Sequence, residues 1–415
     1  MIALVSIASI LFFTYFYYKR EPFGINFFFN LGCLFYFIPN IFNIIYGDNL
    51  LRIKEMAANQ YFMSILILVL TWNLLSIFFK TSSYKMSNLS IVEDTKLVYL
   101  LFYGSIAVFI LGFIGSIGLE AYLGLNRASF YQMKDQLPSY LEIFLNFATV
   151  FFFIILSKKM EKNQNYYKFA LFFVIATFVI LIPTGARGKL IAIIFGILFL
   201  LAIHKKIEVY KIIFPGIIIG TFFQLWGKIR HLANDPGQMF SFLQRKLSWD
   251  LFDISKGESQ ANLNAFNKIF NNGLPISYKD NYASVIESFE LVIPSFIYQR
   301  NFSGLSSWFV QSFYTDIYLV GGGKAFSILA EGYMYDGLAG VFFIALLLWI
   351  SFSFISIFVR YVLGKQYVII FHASLLFDVF QIPRIFYGSF LKQMIIMVLV
   401  PIFTLVILNY VFKKR

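Results

Sequence analysis

Apolar residues in this chain are gathered into about eleven runs, most of them long enough to cross a bilayer. A hydrocarbon core about 30 Å thick takes roughly 20 apolar residues per helix. Inside it every backbone amide must pair within the structure, so each run is expected to be helical. The runs place spans at Met1–Tyr18, Gly24–Tyr46, Tyr61–Phe79, Leu97–Ile117, Tyr140–Leu156, Tyr167–Ile182, Leu190–Ile203, Tyr210–Trp226, Leu338–Val359, Tyr367–Phe380 and Phe390–Val411. The seventh is short, and the tenth carries His372 and Asp378. With 59% apolar residues and 13% charged, an ordinary soluble globule is excluded. The first run lacks a basic stretch before it and a small-residue cleavage site after it, so it is expected to be a retained helix.

Net charge +13 is distributed unevenly. If successive connections alternate sides, one side holds Lys19–Glu21, Lys80–Lys96, Ser157–Lys168, His204–Lys211, Arg360–Lys365 and Lys413–Arg415. That side carries 17 basic and 5 acidic residues; the other carries 17 basic and 16 acidic. The positive-inside rule then puts the basic side in the cytoplasm, with the N-terminus outside and the C-terminus in the cytoplasm. A basic surface against anionic lipid accounts for the charge without nucleic acid. The single cysteine, Cys33, lies in an apolar run and permits neither a disulfide nor a Cys-based metal site within the chain. No internal repeat is visible, which weakens an inverted-repeat transporter.

The expected fold is therefore all-α, a polytopic integral membrane bundle of about eleven transmembrane helices. It divides into a first bundle segment at 1–227, a large hydrophilic loop at 228–337 and a last bundle segment at 338–415. The loop carries 9 basic and 10 acidic residues and would lie outside. It is too long for a mere connection. It holds amphipathic stretches at Met239–Phe252, with Trp249 suited to a membrane interface, at Asn262–Phe270 and at Ala283–Ile293 before Pro294. These are expected to be short helices on or near the outer leaflet.

Cations on the outer side run against the general bias and carry the functional argument. Arg187 and Lys189 lie in the hairpin Pro183–Lys189, Lys228 and Arg230 follow the eighth span, and Arg384 lies in Pro383–Gly388. Arg127, Arg245, Lys246 and Arg300 lie in outer loops. Guanidinium forks match phosphate oxygens bidentately, so a pocket for a pyrophosphate headgroup is expected. The competing explanation is pairing with Glu287, Glu290 or Asp316, or snorkelling to the interface. Gly185 and Gly188 flank Arg187 and would allow backbone amides to approach an anion. Glu331, among apolar neighbours before the ninth span, is a candidate base, or a partner of Lys324 or of an arginine. His231 is a second candidate base. No P-loop, dinucleotide loop, HExxH or Cys/His metal spacing occurs. An enzyme here would use an already activated substrate, with no cofactor and no metal.

Three stretches resemble the O-antigen and oligosaccharide repeat-unit polymerases (Wzy type) of bacterial envelopes. Thr184–Gly188 looks like that family's Gly-Ser-Arg-Gly-type hairpin, with Ala186 in the serine's place. Tyr278–Phe302 looks like its mid-loop segment. Gly321–Gly340 looks like its motif before the following span, with Ser327, Glu331, Gly337 and Gly340 in register. An Arg-x10-Gly pattern seen in some of that family's loops is not evident.

The resemblance implies a glycosyltransferase of the bacterial inner membrane that acts at the periplasmic face in lipopolysaccharide or capsular polysaccharide synthesis. It would move a growing glycan from undecaprenyl pyrophosphate onto an incoming lipid-linked repeat unit. Its partners would be undecaprenyl-pyrophosphate-linked oligosaccharides, the bilayer and a chain-length regulator. Arg127, Arg187, Arg230, Arg300 and Arg384 would bind the pyrophosphate, and Glu331 or His231 would serve as base. Trp249, Trp308, Tyr314 and Tyr318 would stack on sugar faces. A flippase for the same lipid-linked sugars and the related ligase are the rival readings.

Overall fold

A computed structural model describes residues 1–21, 23–46, 55–79, 95–118, 140–181, 187–204, 258–272, 283–294, 297–298, 304–319 and 324–413. Every regular element among them is helical. In chain order they are α1 (Ile2–Arg20), α2 (Ile25–Tyr46), α3 (Glu55–Phe79), α4 (Thr95–Ile117), α5 (Tyr140–Glu161), α6 (Tyr166–Leu181) and α7 (Arg187–Ile203). Then come α8 (Glu258–Asn272), α9 (Ala283–Glu290), α10 (Leu305–Phe313), α11 (Thr315–Leu319), α12 (Ile328–Phe358), α13 (Lys365–Phe380), α14 (Tyr387–Lys392) and α15 (Val400–Lys413). π-helical turns at Val359–Leu363 and Gln393–Leu399 continue α12 and α14.

Seven helices among the described residues are long and apolar enough to cross a membrane: Ile2–Arg20, Ile25–Tyr46, Met56–Phe79, Lys96–Ser116, Ile143–Glu161, Ile328–Leu363 and Tyr387–Phe412. The chain is a multi-pass membrane protein. Large apolar side chains such as Leu11, Phe12, Phe172, Ile175, Phe354 and Ile357 stand exposed on these and neighbouring helices, which suits contact with lipid. The expected count of eleven is not reached within the described residues. Tyr166–Leu181 and Gly188–Ile203 are apolar but shorter. The helix expected at Tyr367–Phe380 spans 16 residues and buries His372. The run Tyr210–Trp226 lies outside the described residues.

The chain forms two compact units. One comprises Met1–Lys85, Ile254–Phe371 and Leu375–Val400; the other comprises Met86–Asp253, His372–Ser374 and Pro401–Arg415. In the first, α1, α2 and α3 pack on one another and α3 packs on α12. Lipid is as apolar as leucine, so buried polar groups and close packing must join these helices. Ser6 Oγ donates to Phe62 O at 3.0 Å, joining α1 to α3. Asn30 and Asn73 exchange amide hydrogen bonds of 2.8 and 3.0 Å between α2 and α3. Trp72 Nε1 donates to Asn26 Oδ1 at 3.1 Å, and its ring stacks on Phe29. Trp349 Nε1 donates to Ser76 Oγ at 3.0 Å, tying α12 to α3.

In the second unit α5 is central, with α4, α6 and α7 packed around it. Phe109, Phe113, Leu141, Leu145 and Leu181 make one buried cluster, and Phe152 stacks on Phe173 with ring centres 4.1 Å apart.

The ninth expected span begins ten residues before the predicted Leu338, at Ile328, but α12 is not one straight rod. Asp336 and Gly337 leave helical geometry, and Gly337 has φ of +54°, a region that glycine enters without a side-chain penalty. The chain bends so sharply that Gly332 packs against Gly340. A Cβ on Gly340 would strike the Gly332 carbonyl oxygen. The break separates a short arm, Ile328–Tyr335, from the long apolar arm that follows.

Candidate functional site

The short arm of α12 begins at Ser327, whose extended backbone and hydroxyl cap the helix: Ala330 N–H donates to Ser327 Oγ at 3.1 Å. One turn on, Glu331 is fully buried. Tyr335 Oη donates to its Oε1 at 2.7 Å. The backbone N–H of Tyr387, 56 residues later, donates to its Oε2 at 2.7 Å. Tyr387 opens the last span, so the Glu331 carboxyl satisfies an N–H that has no partner within that helix and sits at its positive end. The Tyr387 hydroxyl in turn bonds Ser351 Oγ at 2.9 Å on the long arm of α12. The expected pairing of Glu331 with Lys324 or an arginine is not what the structure contains. Tyr335 and Tyr387 each donate to one of its two oxygens.

Three residues before Tyr387 lies Arg384, the last residue of a 3-10 turn, Ile382–Arg384. Ile382 and Pro383 are buried and Arg384 is half-buried. Pro383 suits this position because its fixed φ fits a helical first turn and it needs no N–H partner there. The turn packs against α2, α8 and α12. Just before it, α2 comes so near that a Cβ on Gly32 would collide with the carbonyl oxygen of Phe380. Arg384 is thus carried on a corner held from three sides, and Glu331 anchors the helix that leaves it.

The segment between the spans covers this unit. The apolar stripe of α8, with Leu263, Ala265, Phe266 and Ile269, is buried against α2, α3 and α12. Phe266 sits between Tyr61 and Tyr333. That apolar face therefore meets protein. α9 keeps an apolar face outward, with Ile286 72% and Phe289 53% exposed, while Ser288 and Leu291 are buried where it packs on α14.

Tyr314, at the end of α10, lies between two lysines in space. Lys268 Nζ on α8 lies 5.8 Å from its ring centre and Lys324 Nζ lies 5.5 Å from it. Burial pushes the Tyr314 phenol above its usual range, so it remains a protonated donor. Trp308 is half-buried and meets Phe326 edge-on, whereas Tyr318 is exposed. The lysines carried no recognisable motif. Only the fold brings 268, 314 and 324 together.

In the second unit, α7 starts at Arg187, two residues after Gly185. Lys189 in its first turn donates to Asn146 Oδ1 on α5. This first turn therefore carries two cations and no acid, where the backbone already presents orphan N–H groups. His204 Nε2 and Ser157 Oγ share a hydrogen bond of 3.0 Å.

Of the expected site residues, Glu331 and Arg384 fall in the first unit and Arg187 in the second. Arg127, Arg230, His231 and Arg300 lie outside the described residues, as do Met239–Phe252 and Trp249. Among the described residues no group of three or more His, Cys, Asp or Glu could hold a metal ion. In comparisons with protein-family models, curated proteins and solved structures, nothing matches this chain.

Proposed function

We propose that the protein is a polymerase of lipid-linked oligosaccharide repeat units, of the Wzy type, acting at the periplasmic face of a bacterial inner membrane. The observation that carries this reading is Arg384: a half-buried guanidinium at the corner between two apolar helices, on a turn braced by α2, α8 and α12. A fixed guanidinium at a membrane boundary suits the phosphate oxygens of a lipid diphosphate. The charge asymmetry of the connections supports an outside location for 228–337 and a bundle of about eleven spans.

In this reaction an acceptor sugar hydroxyl forms a bond to the donor's anomeric carbon. The bond from that carbon to the diphosphate oxygen breaks, and its electron pair leaves with the diphosphate. Arg384 stabilises that growing negative charge. Arg127, Arg230 and Arg300 are further members of the phosphate-binding set. The hydroxyl proton needs a base, for which His231 is the candidate. Glu331, fully buried and bonded to Tyr335 and to the Tyr387 N–H, is assigned the anchoring of the helix that follows Arg384.

Deletion of the gene tests the reading. Envelope polysaccharide should then appear as single repeats in place of a ladder on a gel. Loss of all repeats would instead favour a flippase or a ligase. Arg384→Ala should shorten the ladder roughly 100-fold in yield, on the scale of one lost transition-state donor. A normal ladder from an inserted Arg384→Ala protein would overturn the phosphate role.

A further inference from the structure

Lys268, Tyr314 and Lys324 come from three separate parts of the segment between the spans, and the fold gathers them around one ring. Both ammonium nitrogens lie within 5.8 Å of the Tyr314 ring centre. Among the described residues neither lysine has a carboxylate ion pair, and Asp316, exposed on α11 two residues from Tyr314, pairs with neither. A ring face returns only about 0.5–1 kcal/mol per cation at an exposed position. Two ammoniums beside one ring, with no carboxylate pairing either, suit an anion with several oxygens. Lys324 is exposed while Lys268 and Tyr314 are half-buried, so the group is open to a ligand and one side is already desolvated.

The polymerase reading, on which this inference rests, brings two lipid diphosphates to one protein. One is the leaving group of the donor. The other stays on the acceptor throughout and must only be held. A rigid bidentate guanidinium suits the first task; compact ammonium charges on flexible stems suit the second. We propose that Lys268, Lys324 and the Tyr314 hydroxyl form a second diphosphate-binding site, separate from Arg384, which retains the acceptor lipid. The site takes a lipid-borne diphosphate through charge-assisted hydrogen bonds from both ammoniums and one from the phenol.

The test uses the full chain in neutral phosphatidylcholine nanodiscs, with undecaprenyl diphosphate as probe and native mass spectrometry as readout. The wild-type protein should bind two equivalents. Lys268→Gln with Lys324→Gln should weaken one equivalent by roughly tenfold or more and leave the other. Lys268→Arg with Lys324→Arg should keep both, and Arg384→Ala should remove the other equivalent only. Unchanged binding in the double glutamine variant would overturn the proposal. So would displacement of the lysine-dependent equivalent by phosphatidylglycerol at comparable concentration, because the group would then be an ordinary lipid-headgroup contact. Failure of the polymerase reading looks different: the deletion strain would keep its ladder while the lysine-dependent equivalent persisted.

Discussion

At the scale of single residues, Glu331 separates two ways a buried carboxyl can serve a membrane protein. A general base needs a free oxygen facing substrate. Each Glu331 oxygen accepts one hydrogen bond, from Tyr335 and from the Tyr387 amide, and the residue is fully buried, which favours an anchoring role. Replacing it by alanine leaves buried donors unsatisfied, at about 1–3 kcal/mol. Glu331→Ala should therefore lower the melting temperature in detergent and shorten the glycan ladder together. Glu331→Gln keeps an acceptor for the Tyr387 N–H and can donate to the Tyr335 hydroxyl, so it should retain most of both. A base role predicts the opposite for glutamine: normal melting and no ladder. The residue type was legible in the sequence, since a carboxylate beside apolar neighbours invites attention. Its task was not, because Tyr387 lies 56 residues away and carries no mark of the contact.

At the scale of elements, the helices are joined by polar pairs in place of a hydrophobic force that lipid does not supply. The reciprocal amide bonds of Asn30 and Asn73 are the most explicit case. Asn30→Leu or Asn73→Leu alone should destabilise the α2–α3 contact by about 1 kcal/mol, leaving the partner amide stranded. The double variant should be milder than the sum of the two by about 0.6–1.7 kcal/mol, measured as a double-mutant cycle of unfolding in mixed micelles. Strict additivity would mean that the pair is not coupled. Helix positions followed from apolar runs because hydropathy and length are local properties. The break at Asp336–Gly337 was less legible. Gly332, Gly337 and Gly340 are plain in the sequence, but which glycine turns the chain and which two touch depends on how the arms fold back. The stripe of α8 shows the same limit: periodicity marks an apolar face without saying whether lipid or protein will cover it.

For the whole molecule, the prediction is topological. Reporter fusions at Asn163, in the turn between α5 and α6, should give a cytoplasmic signal, and fusions at Asn271, at the exposed end of α8, an outside one. Two signals of the same sense would remove the basis for placing Arg384 and the lysines at the outer face. The alternation of long apolar runs with basic connections is written along the chain, because insertion into lipid selects each segment by its own hydropathy and flanking charge. The sequence by itself therefore determined a helical multi-pass protein and a set of cations worth examining. Only the tertiary structure decided that Glu331 secures the start of the last span, that Arg384 rides on a braced corner and that Lys268 and Lys324 share one tyrosine ring. Those choices rest on contacts between residues far apart in the chain, where packing and hydrogen-bond geometry act and local composition carries no record of the partner.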